Sequence, residues 1–341
     1  MRAVGLRRYL PIEDPAALED LELDEPAPGP RDLLVRVESI SVNPIDVKQR
    51  SPVGRADLVE DPPKVLGFDA AGVVERTGPA CHLFRVGDLV YYAGTLGRQG
   101  SNAELQAVDE RLVGPLPRTV ELPDAAALPL TSLTAWESLF DRMGIRTDGG
   151  HQGQTLLVIG GAGGVGSMAV QLGRWAGLRV VATAGSPASQ RWVRDLGADV
   201  AVDYHTGLSP ALSAAGVDVV DWVLCTQRTE TYWEQMAEVI RPQGAVCCIV
   251  DSPVALNVNA FKPKSISVHW ESMFTRSVFA TDDMARQHEI LAAVAGLLDS
   301  GQLRSTRTET LGPITAANLR EAHRRIESAT TRGKLVLAGW P

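Results

Sequence analysis

Apolar positions along the chain change rhythm near residue 150. Before that point, short alternating runs such as LLVRVESISV (33–42), AAGVVERTG (70–78), RVGDLVYYAG (85–94) and AELQAVDERLVG (103–114) are punctuated by Gly, Pro and Asp. Alternation of period two between turn residues predicts strands, so the front of the chain reads as a strand-rich, barrel-like unit. From 154 onward, compact apolar runs alternate with segments of helical period: TLLVIG, a helix to about Gly177, RVVATA, a helix through SQRWVRDLG, VAVDY, DVVDWVLCT, the helix TETYWEQMAEVI, GAVCCIV and SISVHW. Such alternation predicts a parallel sheet with helices on both faces. Two helical patterns, HEILAAVAGLLDSG and ANLREAHRRIES, and a strand-like KLVLAG end the sequence.

The junction between the first of these strands and its helix carries the most specific signal. In LLVIGGAGGVGS, Gly161, Gly163 and Gly166 satisfy G-x-G-x-x-G, a spacing that permits a tight turn, close backbone approach to a pyrophosphate and close helix-on-strand packing. A helix beginning near Gly164 aims its free N–H groups and positive dipole end at that pyrophosphate. The candidate cradle is therefore Gly161, Ala162, Gly163, Gly164, Val165 and Gly166.

The end of the second strand decides which dinucleotide the cradle prefers. An acidic residue there holds the ribose hydroxyls of NAD, but RVVATA runs into Ala184, Gly185 and Ser186 with no carboxylate. A 2′-phosphate, hence NADP(H), is the expected ligand. Ser186 can donate a hydrogen bond, Arg191 a charge-assisted pair, and Tyr204, closing the third strand, a further hydroxyl.

Composition narrows the partners. With 341 residues and 45% hydrophobic content, two domains each bury a core. The net charge of -8, with no block of Lys or Arg, lacks the footprint of a nucleic-acid binder. No apolar run reaches the length of a membrane span, so a cytoplasmic protein is expected. Cys225, Cys247 and Cys248 lie in apolar runs and read as core thiols; Cys81 and His82 read as a surface turn, without metal-ligand spacing. His151, His205, His288 and His323 all read as surface positions.

Taken in order, VNPIDVKQR (42–50), VLGFDAAGVVERTG (65–78), FRVGDLVYY, LPLTSLTAWESLF and the glycine motif resemble the medium-chain dehydrogenase/reductase superfamily over essentially the whole chain. The likeness is closest to its zinc-independent, zeta-crystallin-like quinone oxidoreductases and to a bacterial "zinc-type alcohol dehydrogenase-like" subgroup, to which HWESMFTRS and TETLGPITAANLREAH are similar. The resemblance implies an α/β chain with a GroES-like β-rich catalytic domain, 1–127 and 276–341, and an inserted Rossmann domain with a doubly wound parallel sheet, 128–275. KLVLAG would then rejoin the first domain, and the active site would be the interdomain cleft.

Zinc-dependent relatives carry Cys, His and Cys where this sequence has Asn43, Phe68 and a position near Leu130, so no metal is expected. Without a Lewis acid, the suited reaction is hydride transfer from NADPH to a quinone or an α,β-unsaturated carbonyl, whose charge spreads to an oxygen that ordinary donors stabilise. The Asn43 amide and Lys48 ammonium are the candidate donors, and Asp46 is expected to orient their loop. By resemblance, Asn43 and Thr134 lie near the nicotinamide, while Thr226 and the stretch from Ile249 to Asp251 line its path. His269, Trp270 and Phe274 read as one aromatic cluster after the last Rossmann strand, which is expected to pair across a homodimer. Two alternatives remain at this stage: an NADPH-binding redox sensor or complex partner with little turnover, and an alcohol dehydrogenase-type carbonyl reductase.

Overall fold

The apolar run TLLVI forms the strand Thr155–Ile159, and all five of its residues are buried. A strand apolar on both faces must lie inside a sheet covered on both sides. In the computed structural model, which describes residues 1–341, it pairs in parallel with Arg179–Thr183 on one side and Val220–Cys225 on the other. The six-stranded order is Val200–Val202, Arg179–Thr183, Thr155–Ile159, Val220–Cys225, Ile240–Cys248, Ser267–Trp270. In chain order this is 3-2-1-4-5-6, the doubly wound arrangement, with its reversal point between the first and fourth strands. Leu156, Leu157, Val158 and Ile159 are fully inaccessible to water, and each contributes about 1.5–3 kcal/mol relative to an exposed side chain. Cys225, Cys247 and Cys248 are buried in the same sheet.

This Rossmann unit spans Thr131–Met273; Met1–Leu130 and Phe274–Pro341 form the second unit. There the alternating runs become two sheets. A three-stranded sheet orders Glu19–Glu22, Arg2–Arg8 and Val59–Val65. In the seven-stranded sheet, the long strand Asp32–Ser41 pairs antiparallel with Asp69–Thr77, Leu105–Asp109 and Lys334–Ala338. The sheet encloses Leu33, Val35, Val37, Ile40, Ala70, Val90 and Tyr92. KLVLAG therefore joins the front unit, with Val336 opposite Ser41, as a chain that leaves and re-enters one domain requires. No helix of the chain is long and apolar enough to cross a membrane.

Two expectations from local pattern need correction. His323, placed on the surface because ANLREAHRRIES looks polar, is fully buried on the helix Ala316–Glu327, and neither ring nitrogen has a hydrogen-bond partner. That helix is amphipathic and turns His323 inward together with Leu319 and Ala322. Burial, with Arg50 adding to it, pushes the imidazole down to about 3. The aromatic residues of HWESMF also do not form one cluster. Trp270 stacks on Trp233, with centroids 6.4 Å apart, whereas Phe274 belongs to the front unit and meets Phe68 edge-on at 5.1 Å.

Candidate functional site

The glycine loop sits at the carboxyl end of the strand Thr155–Ile159, beside the reversal point of the sheet. Its left-handed residue is Gly160 (φ 82°), one position before the motif, and a Cβ there would stand 2.4 Å from Thr226 Oγ1. A Cβ on Gly161 would press on Ala182 at 2.8 Å, and one on Gly166 would lie 2.2 Å from the Gly160 carbonyl oxygen and 2.7 Å from Gly161 Cα. Gly166 is thus the close-packing glycine that lets the helix Gly164–Trp175 rest on the loop. Gly163 differs, because a Cβ there would meet only the Gly160 oxygen, at 3.5 Å. The space in front of it is open.

Ala162, Gly163, Gly164 and Val165 are partly exposed, and the amides of Gly164, Val165 and Gly166 open the helix without intrahelical acceptors. Backbone donors, a helix N-terminus and room in front of Gly163 fit a dinucleotide pyrophosphate. Thr226 donates from Oγ1 to the Ile159 carbonyl at 2.8 Å, which fixes the loop after the fourth strand beside the cradle. Ile249 follows the fifth strand, held by its N–H on the Cys225 carbonyl, and Asp251 lies exposed beyond it.

At the end of the second strand, Ser186 caps the helix Pro187–Asp195: its Oγ accepts from the Ser189 N–H at 3.1 Å and donates to Ser189 Oγ at 3.0 Å. Arg191 is exposed on that helix. Tyr204 and His205 stack at 4.7 Å and lie over Gly185, where a Cβ would come 2.7 Å from His205 Cε1 and 2.8 Å from the Tyr204 hydroxyl oxygen. His205, read from sequence only as a surface residue, thus stands with Tyr204 beside the end of the second strand, its Nδ1 bonded to Asp203. The Gly185-to-Ser186 turn itself carries no carboxylate.

The front unit holds a second polar centre, closed rather than open. Asp69 is fully buried, and its carboxylate accepts four hydrogen bonds: Oδ2 from Ser41 Oγ (2.7 Å), Asn43 Nδ2 (2.8 Å) and Lys334 Nζ (3.0 Å), and Oδ1 from the Leu130 N–H (2.8 Å). Lys334, 3% exposed, also donates to the Val42 carbonyl at 3.0 Å and to Asn43 Oδ1. Asn43 precedes the helix Pro44–Arg50, and Asp46 completes its capping box, accepting from the Asn43 N–H at 2.8 Å and from the Gly67 N–H at 3.1 Å. Burial, reinforced by Asp69, pushes Asp46 up to about 7 against the pull of those N–H groups and Lys334.

Of the residues anticipated from sequence, Asn43 and Asp46 lie in this network, and Lys48 lies on the exposed side of the same short helix. Thr134 is buried on the helix Pro129–Trp136 of the Rossmann unit. Ser41, Asp69 and Lys334 were not anticipated. The only sequence signal for Asp69 and Lys334 was a charged residue directly beside an apolar run, in GFDAAG and GKLVLAG, and Ser41 had none.

Zinc does not fit this centre. Position 43 offers an amide already bonded on both ends, position 68 a phenyl ring and position 130 an alkyl chain, whereas Zn²⁺ needs nitrogen, sulfur or carboxylate donors at about 2.0–2.3 Å. No group of three His, Cys, Asp or Glu side chains is arranged to hold a metal ion.

Comparison with known proteins agrees with the architecture. Residues 29–118 match the family model of the alcohol dehydrogenase GroES-like domain, and residues 196–337 that of the zinc-binding dehydrogenases. A zinc-type alcohol dehydrogenase-like protein of Staphylococcus epidermidis is 38% identical over 339 residues, 99% of each chain. The chloroplastic quinone-oxidoreductase homolog of Spinacia oleracea is 31% identical over 74% of this chain and 76% of its own. Among solved structures, one described as a zinc-dependent alcohol dehydrogenase protein of Rhizobium etli is 46% identical, covers 100% of this chain and 98% of its own, and superposes with a TM-score of 0.94. This protein belongs to the medium-chain dehydrogenase/reductase superfamily of nicotinamide-dependent oxidoreductases, with the bacterial zinc-type alcohol dehydrogenase-like proteins among its relatives.

Proposed function

We propose that this oxidoreductase is zinc-independent and uses NADPH to reduce a quinone or the activated C=C bond of an α,β-unsaturated carbonyl. The observation that carries the reading is the chemistry at positions 43, 68 and 130: an amide bonded to Asp69 and Lys334, a phenyl ring and an alkyl chain, none of which offers zinc a ligand it takes. The name of the spinach relative, a quinone-oxidoreductase homolog, points to the same acceptor class.

Bound at the loop Gly161–Gly166, NADPH supplies the hydride. The residues of the chain do the rest: backbone N–H groups of the loop hold the pyrophosphate, and Arg191 and Tyr204 meet the 2′-phosphate. Ser186, committed to its helix cap, shapes that pocket more than it binds. The amide of Asn43 donates to the oxygen on which charge gathers as the conjugated acceptor is reduced. Asp46 keeps its turn in place, and exposed Lys48 adds positive potential. The edge strand Ser267–Trp270, with Val268 and Trp270 exposed, pairs with a second copy.

The test is a panel of quinones, enones, aldehydes and ketones, with NADPH and NADH as donors and the 340 nm absorbance followed. Oxidation of NADPH by quinones or enones, unaffected by chelators, is expected. Cofactor binding without oxidation anywhere in the panel would favour a redox sensor, and reduction of simple carbonyls together with stoichiometric zinc would favour an alcohol dehydrogenase.

A further inference from the structure

The cations of the front unit are of two kinds. Arg36, Arg76, Arg98 and Arg111 each pair with a carboxylate at 2.5–3.0 Å. Arg55 and Lys64 pair with none. Both are held by neutral groups instead: Arg55 donates to the Gln49 carbonyl at 2.9 Å, and Lys64 to Gln49 Oε1 at 3.3 Å. Their charges lie 5.4 and 5.9 Å from the centroid of the buried Tyr9 ring. The nearest carboxylate in that segment, Glu60, is bonded to the Tyr9 hydroxyl, and Asp57 and Asp61 are exposed.

Two cations and one carboxylate leave one positive charge in excess. Burial, with repulsion from Arg55 adding to it, holds the Lys64 ammonium below its ordinary range although Glu60 pulls the other way. A ring face and an amide oxygen balance such a charge less completely than an anion does.

The excess charge lies beside the turn to which the proposed chemistry is assigned. Gln49 belongs to the helix Pro44–Arg50, which Asn43 opens, so about 9 Å of helix separates the two positions. Gln49 and Lys64 line one depression together with Leu66, Gly67, Phe68 and Leu96. Gly67 in turn bonds Asp46 of the Asn43 capping box. The depression thus combines an apolar wall with a positive charge, and it borders the segment that holds the Asn43 turn.

We infer that Arg55 and Lys64 form an anion subsite for the hydride acceptor, and that this acceptor is a quinone or conjugated carbonyl compound carrying a carboxylate on its tail. A single negative charge matches the single excess positive one, whereas a phosphate dianion would overshoot it. The inference rests on the reading that the acceptor is reduced beside Asn43.

The test gives the full-length protein and NADPH two matched acceptors, 4-(1,4-naphthoquinon-2-yl)butanoate and its methyl ester. In the parent, kcat/KM is expected to favour the acid by about 10-fold or more at low salt. That preference should shrink toward 1 in about 0.5 M NaCl, because half-buried charges are still screened. The double variant Arg55→Gln/Lys64→Gln should bring the ratio near 1 at low salt, and Lys64→Arg, which keeps the charge, should retain most of it. Calorimetric titration reads the same subsite without turnover, with the acid binding the double variant about 10-fold more weakly than the parent.

A parental ratio near 1, or one that survives in the folded double variant, overturns the inference. If the double variant does not fold, the salt series on the parent decides, and a ratio that salt leaves unchanged overturns it. If NADPH binds but neither acceptor is reduced, the reading of the reaction fails. Calorimetry then still decides the subsite, since equal affinity for acid and ester would overturn it.

Discussion

The two polar centres of this protein are built in opposite ways. The cradle of the Rossmann unit is made of backbone: four consecutive residues partly exposed, glycines where a Cβ would collide, and N–H groups left without acceptors. The Asp69 centre of the front unit is built around buried side chains bonded to one another, with partners contributed from residues 41, 43, 130 and 334. An open centre waits for a ligand to complete its hydrogen bonds. A closed one spends most of them internally and holds its members in place.

That contrast can be broken most forcefully at Asp69. Asp69→Ala leaves the Lys334 ammonium buried without its counter-ion and should cost about 3–5 kcal/mol, read from urea unfolding. An intact denaturation midpoint would show the centre to be looser than described.

The cradle should respond through binding rather than stability, and its glycines should divide. Gly166→Ala drives a Cβ into the backbone of Gly160 and Gly161. It should lower stability by about 1–3 kcal/mol and abolish NADPH binding. Gly163→Ala meets almost nothing in the protein, so its melting temperature should stay near the parental one while NADPH affinity falls by about 10-fold or more, as measured by calorimetry. Equal effects of the two substitutions would refute the division of roles.

Arg191→Ala tests the ribose end. Loss of one charge-assisted contact, worth about 1.5–3 kcal/mol, should weaken NADPH by about 10- to 100-fold and leave NADH unchanged. A parent that binds NADH and NADPH equally, with no effect of the substitution, would remove the preference for the 2′-phosphate.

The smallest effect concerns pH. His323 is held down to about 3 in the folded chain, so the unfolded chain takes up a proton that the folded one does not. Stability is therefore complete above about pH 6.5 and is lost as pH falls toward 3. Asp46, raised to about 7, acts in the other direction: the unfolded chain releases its proton first, and stability declines as pH rises from about 4 to 7. His323→Leu removes the first contribution and should gain about 2 kcal/mol more at pH 5 than at pH 8, measured by urea unfolding at both values. An equal gain at both would show that the parental imidazole titrates normally.

Much of this was legible before any fold was drawn. The strand–helix alternation after residue 154 specified the parallel sheet, because a strand buried on both faces writes itself as an unbroken apolar run. The glycine spacing specified the cradle, because clashes with a Cβ are local and need no distant partner. The left-handed residue of the turn is Gly160, one position before the motif, and the space a side chain there would need is taken by Thr226, 66 residues on. His323 was misread because the helical pattern ANLREAHRRIES does not say which of its polar positions faces the core.

By itself, then, the sequence determined the class of fold, the glycine turn between the first Rossmann strand and its helix, and the lack of an acidic residue at the end of the second strand, since each is encoded within a few neighbouring residues. Only the tertiary structure decided what Asn43 does. Its amide is oriented by Asp69, 26 positions on, and bonded to Lys334, 291 positions on, and nothing in the local pattern of either segment names the other. A charge can remain in such a core only when opposite charge and hydrogen bonds arrive from elsewhere in the chain, and that arrival is a property of the folded sheet.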